Sequence, residues 1–261
     1  MLLTIDSGNT NIAFAVYDGE IQRGCWRIAT ESRRTADEYV VWLTQLMALQ
    51  GLRPADIDRS VLASVVPGAT PNLRELCRRY FSGPPLVVGE PGVALGGLPV
   101  RMDRPEEVGA DRLVNAVAAY ARYGGPAVVV DFGTATTFDV IGSDGGYDGG
   151  IIAPGIHASM DALHAAAAKL PGVAIQAPPQ VIGKATVPAI QSGVFWGYIG
   201  LIEGLLQRIA REQGQEVTVI ATGGLAPLFE AETPLIDHVD LDLTLRGLVR
   251  IDHLNRPTQT G

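Results

Sequence analysis

Three aspartates stand where phosphoryl chemistry would need a carboxylate. Asp6 closes the apolar run Leu2-Leu3-Thr4-Ile5 and opens the turn Ser7-Gly8-Asn9-Thr10; Asp131 closes Val128-Val129-Val130 and opens Phe132-Gly133-Thr134. A buried strand that ends in a carboxylate fixes a charge at a cleft edge, and glycine lets backbone N–H groups come close to an anion. Two such tips facing each other could grip a polyphosphate and its cation. The third, Asp111, lies in Gly109-Ala110-Asp111-Arg112, just ahead of the helical run Leu113 to Tyr120. The free N–H groups of a helix start favour an ionised carboxylate, the form that a proton acceptor requires. Such a group assists attack by a substrate hydroxyl on phosphorus by orienting the hydroxyl and taking its proton late. Local reasons also place these residues, since Asp, Asn, Gly and Thr favour turns and Asp favours helix starts. Arg112 is open to two readings, a bidentate contact to an anionic substrate group or a solvated helix residue.

A further glycine turn, Ala221-Thr222-Gly223-Gly224, follows the apolar run at 216–221. Ligands of α/β sheets collect at the carboxyl ends of strands, so the three turns are expected around one cleft, with the Gly-Gly pair admitting a flat adenine. There is no G-x-x-x-x-G-K-[ST] sequence, so a nucleotide site here is not a P-loop. No G-x-S-x-G elbow supports a serine hydrolase. His157 and His164 lack companions at metal-site spacing and are expected to be structural or solvated.

The elements that must position these groups alternate. Each aspartate turn is followed by another apolar stretch, Ile12 to Val16 and Phe138 to Ile141, which predicts two hairpins with acidic tips. Helical spacing runs from Ala36 to Gln50 and stops at Gly51; strand runs are predicted at 60–66 and 85–88 around a helix at 71–81. The second half repeats the plan, with helices at about 155–168 and 188–213 and a strand at 216–221. Weak similarity at half the chain length points to a duplicated domain with mixed sheets. The helix from Pro188 is unusually apolar, with Ile190, Phe195, Trp196, Ile199, Ile202 and Leu206, and needs either a core or another subunit against it.

Composition narrows the class. With 261 residues, 47% of them hydrophobic and only 18% charged, the chain can bury a full α/β core and does not read as disordered. A net charge of −8 and no basic run make nucleic acid an unlikely partner. The N-terminus lacks the pattern of a secretory signal, and no stretch of about 18 apolar residues is read as a membrane span, so the expected compartment is the cytoplasm. Cys25 and Cys77 are expected to be free structural thiols.

Taken together, Asp6 to Thr10, Pro105-Glu106-Glu107-Val108 with Gly109-Ala110-Asp111-Arg112, Asp131 to Thr134, and the Gly149-Gly150 to Pro154-Gly155 stretch resemble the bacterial type III pantothenate kinases, in order and spacing along nearly the whole chain. The resemblance implies two duplicated ribonuclease H-like domains of the actin-like ATPase superfamily, here 1–113 and 114–261, each an α/β unit with a mixed sheet flanked by helices. It implies ATP-dependent phosphorylation of pantothenate, the first step of coenzyme A biosynthesis, in a cytoplasmic homodimer. Asp6, Ser7, Gly8, Asn9, Thr10, Asn11, Ile12 and Ala13 would then embrace the ATP phosphates, with Thr134 a further ATP contact. Gly109, Ala110, Asp111 and Arg112 would bind pantothenate, with Asp111 the proton acceptor, and Thr186 would reach the substrate across the dimer interface. Asp131 would hold a monovalent cation, potassium or ammonium, and Mg2+ would accompany ATP. Met102 stands where many family members carry a substrate-touching tyrosine. Within the same superfamily, the rivals are a sugar or acyl-phosphate kinase and the family's non-catalytic transcription accessory relatives.

Overall fold

The structure is a computed structural model that describes residues 1–166 and 171–256. Its elements in chain order are β1 (Leu2–Ser7), β2 (Asn11–Asp18), β3 (Ile21–Ala29), α1 (Ala36–Leu49), β4 (Arg59–Ser64), α2 (Thr70–Tyr80), β5 (Leu86–Val87), α3 (Ala110–Tyr123), β6 (Ala127–Phe132), β7 (Ala135–Ile141), β8 (Tyr147–Pro154), α4 (Ile156–Ala166), α5 (Thr186–Gln213), β9 (Thr218–Thr222), α6 (Ala226–Glu230), β10 (His238–Val239) and α7 (Leu243–Leu254). They form two compact units, Met1–Arg122 with Asp242–Gly261, and Tyr123–Leu241. The division expected at 113/114 would cut α3 through its buried stretch, which runs from Leu113 to Ala119. The chain divides near the end of that helix instead, and α7 belongs with the first unit.

The first unit is built on a sheet of order β3-β2-β1-β4-β5. β1 runs antiparallel to β2 and parallel to β4, and β5 continues the parallel side. The central strand is apolar on both faces because helices cover both. Leu3, Ile5, Phe14 and Leu62 pack with Tyr39, Leu43 and Met47 of α1 and Leu73 of α2. On the other face Leu2, Ala15 and Val61 meet Val114 and Val117 of α3 and Leu248 and Ile251 of α7. α1 starts where Thr35 and Glu38 form a reciprocal capping box, satisfying two of its free N–H groups. α7 is tied down by Asp252, a buried carboxylate that accepts from Arg59 Nε at 3.1 Å and Arg256 Nη2 at 2.8 Å.

The second unit repeats this plan, with order β8-β7-β6-β9-β10, β6 antiparallel to β7 and parallel to β9. This twin topology, three antiparallel strands continued by two parallel ones, is the duplicated ribonuclease H-like architecture. The apolar face of its sheet, Val128, Val130, Phe132 and Phe138, is covered by Phe195, Ile199, Ile202 and Leu206 of α5. Both expected hairpins are present, at β1–β2 and β6–β7. The helix expected at 155–168 is described to Ala166, its last two positions lying outside the described residues, and the one expected at 188–213 starts earlier, at Thr186. α5 is, among the described residues, one helix long and apolar enough to cross a membrane. This differs from the expectation of no apolar stretch of about 18 residues; the helix packs its apolar stripe on the sheet. The cysteines are free thiols, and burial pushes Cys77 up to about 12, so it stays protonated.

Gly247 marks the closest approach of α7 to α3: a Cβ there would sit 2.5 Å from the Val114 carbonyl oxygen and 2.6 Å from Val114 Cγ1. Gly247→Ala gains helix propensity of up to about 1 kcal/mol, but backbone must move to admit the methyl group. The expected outcome in urea unfolding is a net loss of about 1–3 kcal/mol; equal or greater stability would show that the two helices separate freely.

Candidate active site

In the first unit, two groups of site residues share the carboxyl end of the parallel strands. The turn after β1 is closed by Gly8 N–H donating to the Asn11 carbonyl at 3.0 Å, and is tied to the end of β3 by Thr30 Oγ1 donating to the Gly8 carbonyl at 2.6 Å. Asp6 is half-buried at its start, and Asn9, Thr10 and Asn11 are exposed. Ser7 is buried, and its Oγ has no hydrogen-bond partner among the described residues. A buried hydroxyl without a partner is costly unless a ligand or water completes it. Ile12 and Ala13 lie inside β2 with their side chains in the core, so only their backbone is available to a ligand.

Val65 links this turn to the second group. Its N–H donates to the Ser7 carbonyl at 3.0 Å, and its Cγ1 lies 3.4 Å from where a Cβ on Gly109 would be. That same Cβ would stand 2.6 Å from Asp111 Oδ1, so glycine at 109 makes room for the carboxylate beside its own backbone. The Gly109 carbonyl accepts from Arg112 and Leu113 N–H, starting α3, and Asp111 Oδ1 accepts from Arg112 N–H at 2.8 Å. Burial raises the Asp111 carboxyl above its ordinary range, while that N–H and the Arg112 guanidinium pull it back down. Just upstream, Met102 lines an open pocket of about 420 Å³ with Arg101, Asp103, Arg104 and Glu107.

In the second unit Asp131 is the penultimate residue of β6, half-buried, and Thr134 is exposed at the tip of the turn, where Gly133 N–H donates to the Ala135 carbonyl at 3.0 Å. The turn is backed by Gly155, whose missing Cβ lets the chain pass against the Thr134 and Gly133 carbonyls. On the β9 side, Gly223 has φ +88°, and a Cβ there would lie 2.5 Å from the Phe132 carbonyl oxygen and 2.9 Å from Asp131 Oδ1. Thr186 is exposed at the first turn of α5. His157 and His164 lie on α4, and among the described residues no three His, Cys, Asp or Glu side chains cluster as a metal site would need. One feature gave no signal in the sequence: Asp139, fully buried in β7, accepts from Tyr147 Oη at 2.8 Å and Thr137 Oγ1 at 3.3 Å.

A family model described as type III pantothenate kinase matches residues 2–208. The chain belongs to this family. A type III pantothenate kinase of Paramagnetospirillum magneticum is 64% identical over 261 residues, covering 100% of each chain. Among solved structures, a protein described as a Baf family transcriptional activator of Campylobacter jejuni superposes with a TM-score of 0.60 at 21% identity, over 97% of this chain and 98% of that one. One described as a 2-dehydro-3-deoxygalactonokinase of Sinorhizobium meliloti gives 0.59 at 13% identity, over 100% and 99%. At those identities the likeness is one of fold, that of the actin-like ATPases and sugar kinases.

The raised carboxyl of Asp111 has a consequence for stability. Because the folded form holds its proton more tightly than the unfolded one, its contribution is full below the unfolded value and is lost as pH rises through the folded one. Asp111→Asn removes that neutral-pH penalty and keeps an oxygen for the Arg112 N–H. The expected melting temperature is higher than wild type at pH 7, with the difference vanishing in acid; a lower one at pH 7 would mean that the ionised carboxylate holds the helix start together.

Proposed function

We infer that the protein transfers the γ-phosphoryl group of ATP to the primary hydroxyl of pantothenate, giving ADP and 4'-phosphopantothenate in the first step of coenzyme A biosynthesis. The observation that carries this reading is the Gly109–Arg112 corner, a half-buried carboxylate at a helix start, in a chain of the type III pantothenate kinase family. Asp111 is the catalytic residue: its carboxylate orients the hydroxyl for attack on phosphorus, the bond to ADP breaks, and the proton passes to Asp111. Burial, which raises the Asp111 carboxyl above its ordinary range, makes its ionised form a better proton acceptor. Arg112 beside it faces the anionic end of the substrate. Gly109 and Ala110 line the corner, with Met102 offering its thioether to the aliphatic part of pantothenate in place of a phenol.

The substrate MgATP is met by residues 6–13. Backbone N–H groups of the Gly8 turn and the Ser7 hydroxyl supply donors, and the exposed Thr134 adds another. A monovalent cation, potassium or ammonium, held at the Asp131 carboxylate would offset polyphosphate charge. The cytoplasm is the compartment this reading assigns.

Thr186 acts from a second copy of the chain. Supporting this, α5 turns Gly193, Gly197 and Gly200 outward with no atom within 4 Å of where their Cβ would be, and Val181, Ile182 and Val187 are exposed beside it. Glycines on an outer helical face allow a second backbone to come close. Retention of Asp6, Asp111 and Asp131 together favours chemistry over a purely regulatory role.

The test is a panel of acceptors with labelled ATP and magnesium: pantothenate, a hexose and acetate. Pantothenate alone should take label, the purified protein should sediment as two chains, and Asp111→Asn should lower turnover by about 10²–10⁴ with ATP binding retained. Label on another acceptor, or unchanged turnover in the variant, would overturn the substrate or the catalytic assignment respectively; a single-chain mass would remove the shared site.

A further inference from the structure

We propose that Thr30 is a positioning residue of the nucleotide turn: it fixes which side of the Gly8–Asn9 and Thr10–Asn11 peptides faces the phosphates of ATP. The proposal rests on the reading in which residues 6–13 meet MgATP, and it adds a residue outside that run which sets the polarity of the turn.

One residue reaches two carbonyls of the turn. Thr30 N–H donates to the Thr10 carbonyl at 2.9 Å, and its hydroxyl donates to the Gly8 carbonyl at 2.6 Å. Both oxygens are thereby held on the β3 side. In a planar trans peptide the N–H points opposite to the carbonyl of the same unit, so the Asn9 and Asn11 N–H groups face away from Thr30. Glycine at 8, with no Cβ, leaves the Gly8–Asn9 peptide little steric resistance to turning over. Turned over, it would set a carbonyl oxygen against phosphate oxygens, which repel it, where an N–H donor is needed. The Thr30 hydroxyl holds the productive orientation before a ligand arrives, so binding does not have to order the turn.

Thr30 is itself braced on both sides. The Ala29 carbonyl before it accepts from Arg34 Nη1 at 2.8 Å, and Thr35, where the segment ends, caps α1 with Glu38. Between them Ser32 Cβ lies 3.1 Å from where a Cβ on Gly68 would stand, in the loop after β4. The duplicated fold provides an internal comparison. Asn11 opens β2 opposite Ala29, and Ala135 opens β7 opposite Pro154, so Thr30 and Gly155 hold equivalent positions, one residue past each pair. A Cβ on Gly155 would clash with the Thr134 carbonyl oxygen and stand 2.9 Å from that of Gly133. The second unit therefore has no room for a side chain there and meets its turn with bare backbone. The first unit carries a hydroxyl at that position and spends it on the turn.

The test is calorimetric binding of MgATP to the full chain without an acceptor, beside steady-state kinetics. Thr30→Val keeps the shape of the side chain and removes its donor; it should weaken MgATP binding about fivefold or more and raise KM for ATP by a similar factor, with KM for pantothenate unchanged. Thr30→Ser, which keeps the hydroxyl, should restore both. Thr44→Val, which deletes a hydroxyl bonded to the Val40 carbonyl at 2.7 Å on α1, should bind MgATP like wild type. A folded Thr30→Val with wild-type affinity, or one whose loss falls equally on pantothenate, overturns the proposal. If that variant does not fold, hydrogen exchange in the free wild type decides: the Thr30 amide should be protected, and exchange at the rate of an open chain would show that no clamp exists before the ligand binds. Weakened MgATP binding in Thr30→Val without pantothenate-dependent turnover in the wild type would overturn the kinase reading alone. Turnover in the wild type with unchanged MgATP affinity in the variant would overturn this proposal alone.

Discussion

A carboxylate at the end of a buried central strand is held against the cost of desolvation, and both units accept that cost at the same place. Asp6 is the penultimate residue of β1 and Asp131 that of β6, each half-buried beside a parallel neighbour. Asp111 adds a third carboxylate, desolvated enough to be raised despite its N–H partner and the nearby guanidinium. On the proposed reading, a polyphosphate brought to either turn meets like charge, which fixed N–H donors must offset. The glycine turns are where the backbone can do so.

What each carboxylate sees is decided by the strand next to it. In the first unit β4 leads into Val65, which holds the Ser7 backbone on one side and abuts Gly109 on the other, so that the phosphate-type turn and the Asp111 corner are built on one scaffold. In the second unit β9 leads into Gly223, whose lack of a side chain lets it pack against the Phe132 carbonyl and Asp131 Oδ1. The two units thus repeat one topology and differ at this register position, Ser64 in the first and Gly223 in the second.

Much of this was legible in the residues. Both hairpins, the parallel strands β4, β5 and β9 and the helices α1 to α5 follow from apolar runs and their punctuation, because buried central strands and amphipathic helices carry strong patterns. The third strands, β3 and β8, were not legible: Gln22, Arg23 and Gly24 in one and the Gly149-Gly150 pair in the other break the alternation that an edge strand would show. The unit boundary was misplaced for a tertiary reason, since α3 packs as one piece and α7 returns to the first sheet from the far end of the chain. Asp6, Asp111 and Asp131 stood out through their turns and helix start. The packing of Gly223 against the Phe132 carbonyl and the Asp139 network did not, because backbone oxygens and cross-strand partners leave no mark in residue type.

The most direct test of the central claim, that a desolvated Asp111 carboxylate accepts the substrate proton, is the pH profile of kcat/KM for pantothenate, which reports groups of the free enzyme. The account predicts an acid limb whose midpoint lies above the ordinary aspartate value of about 3.9 and which disappears in Asp111→Asn. A limb at or below that value, or one that persists unchanged in the variant, would contradict it.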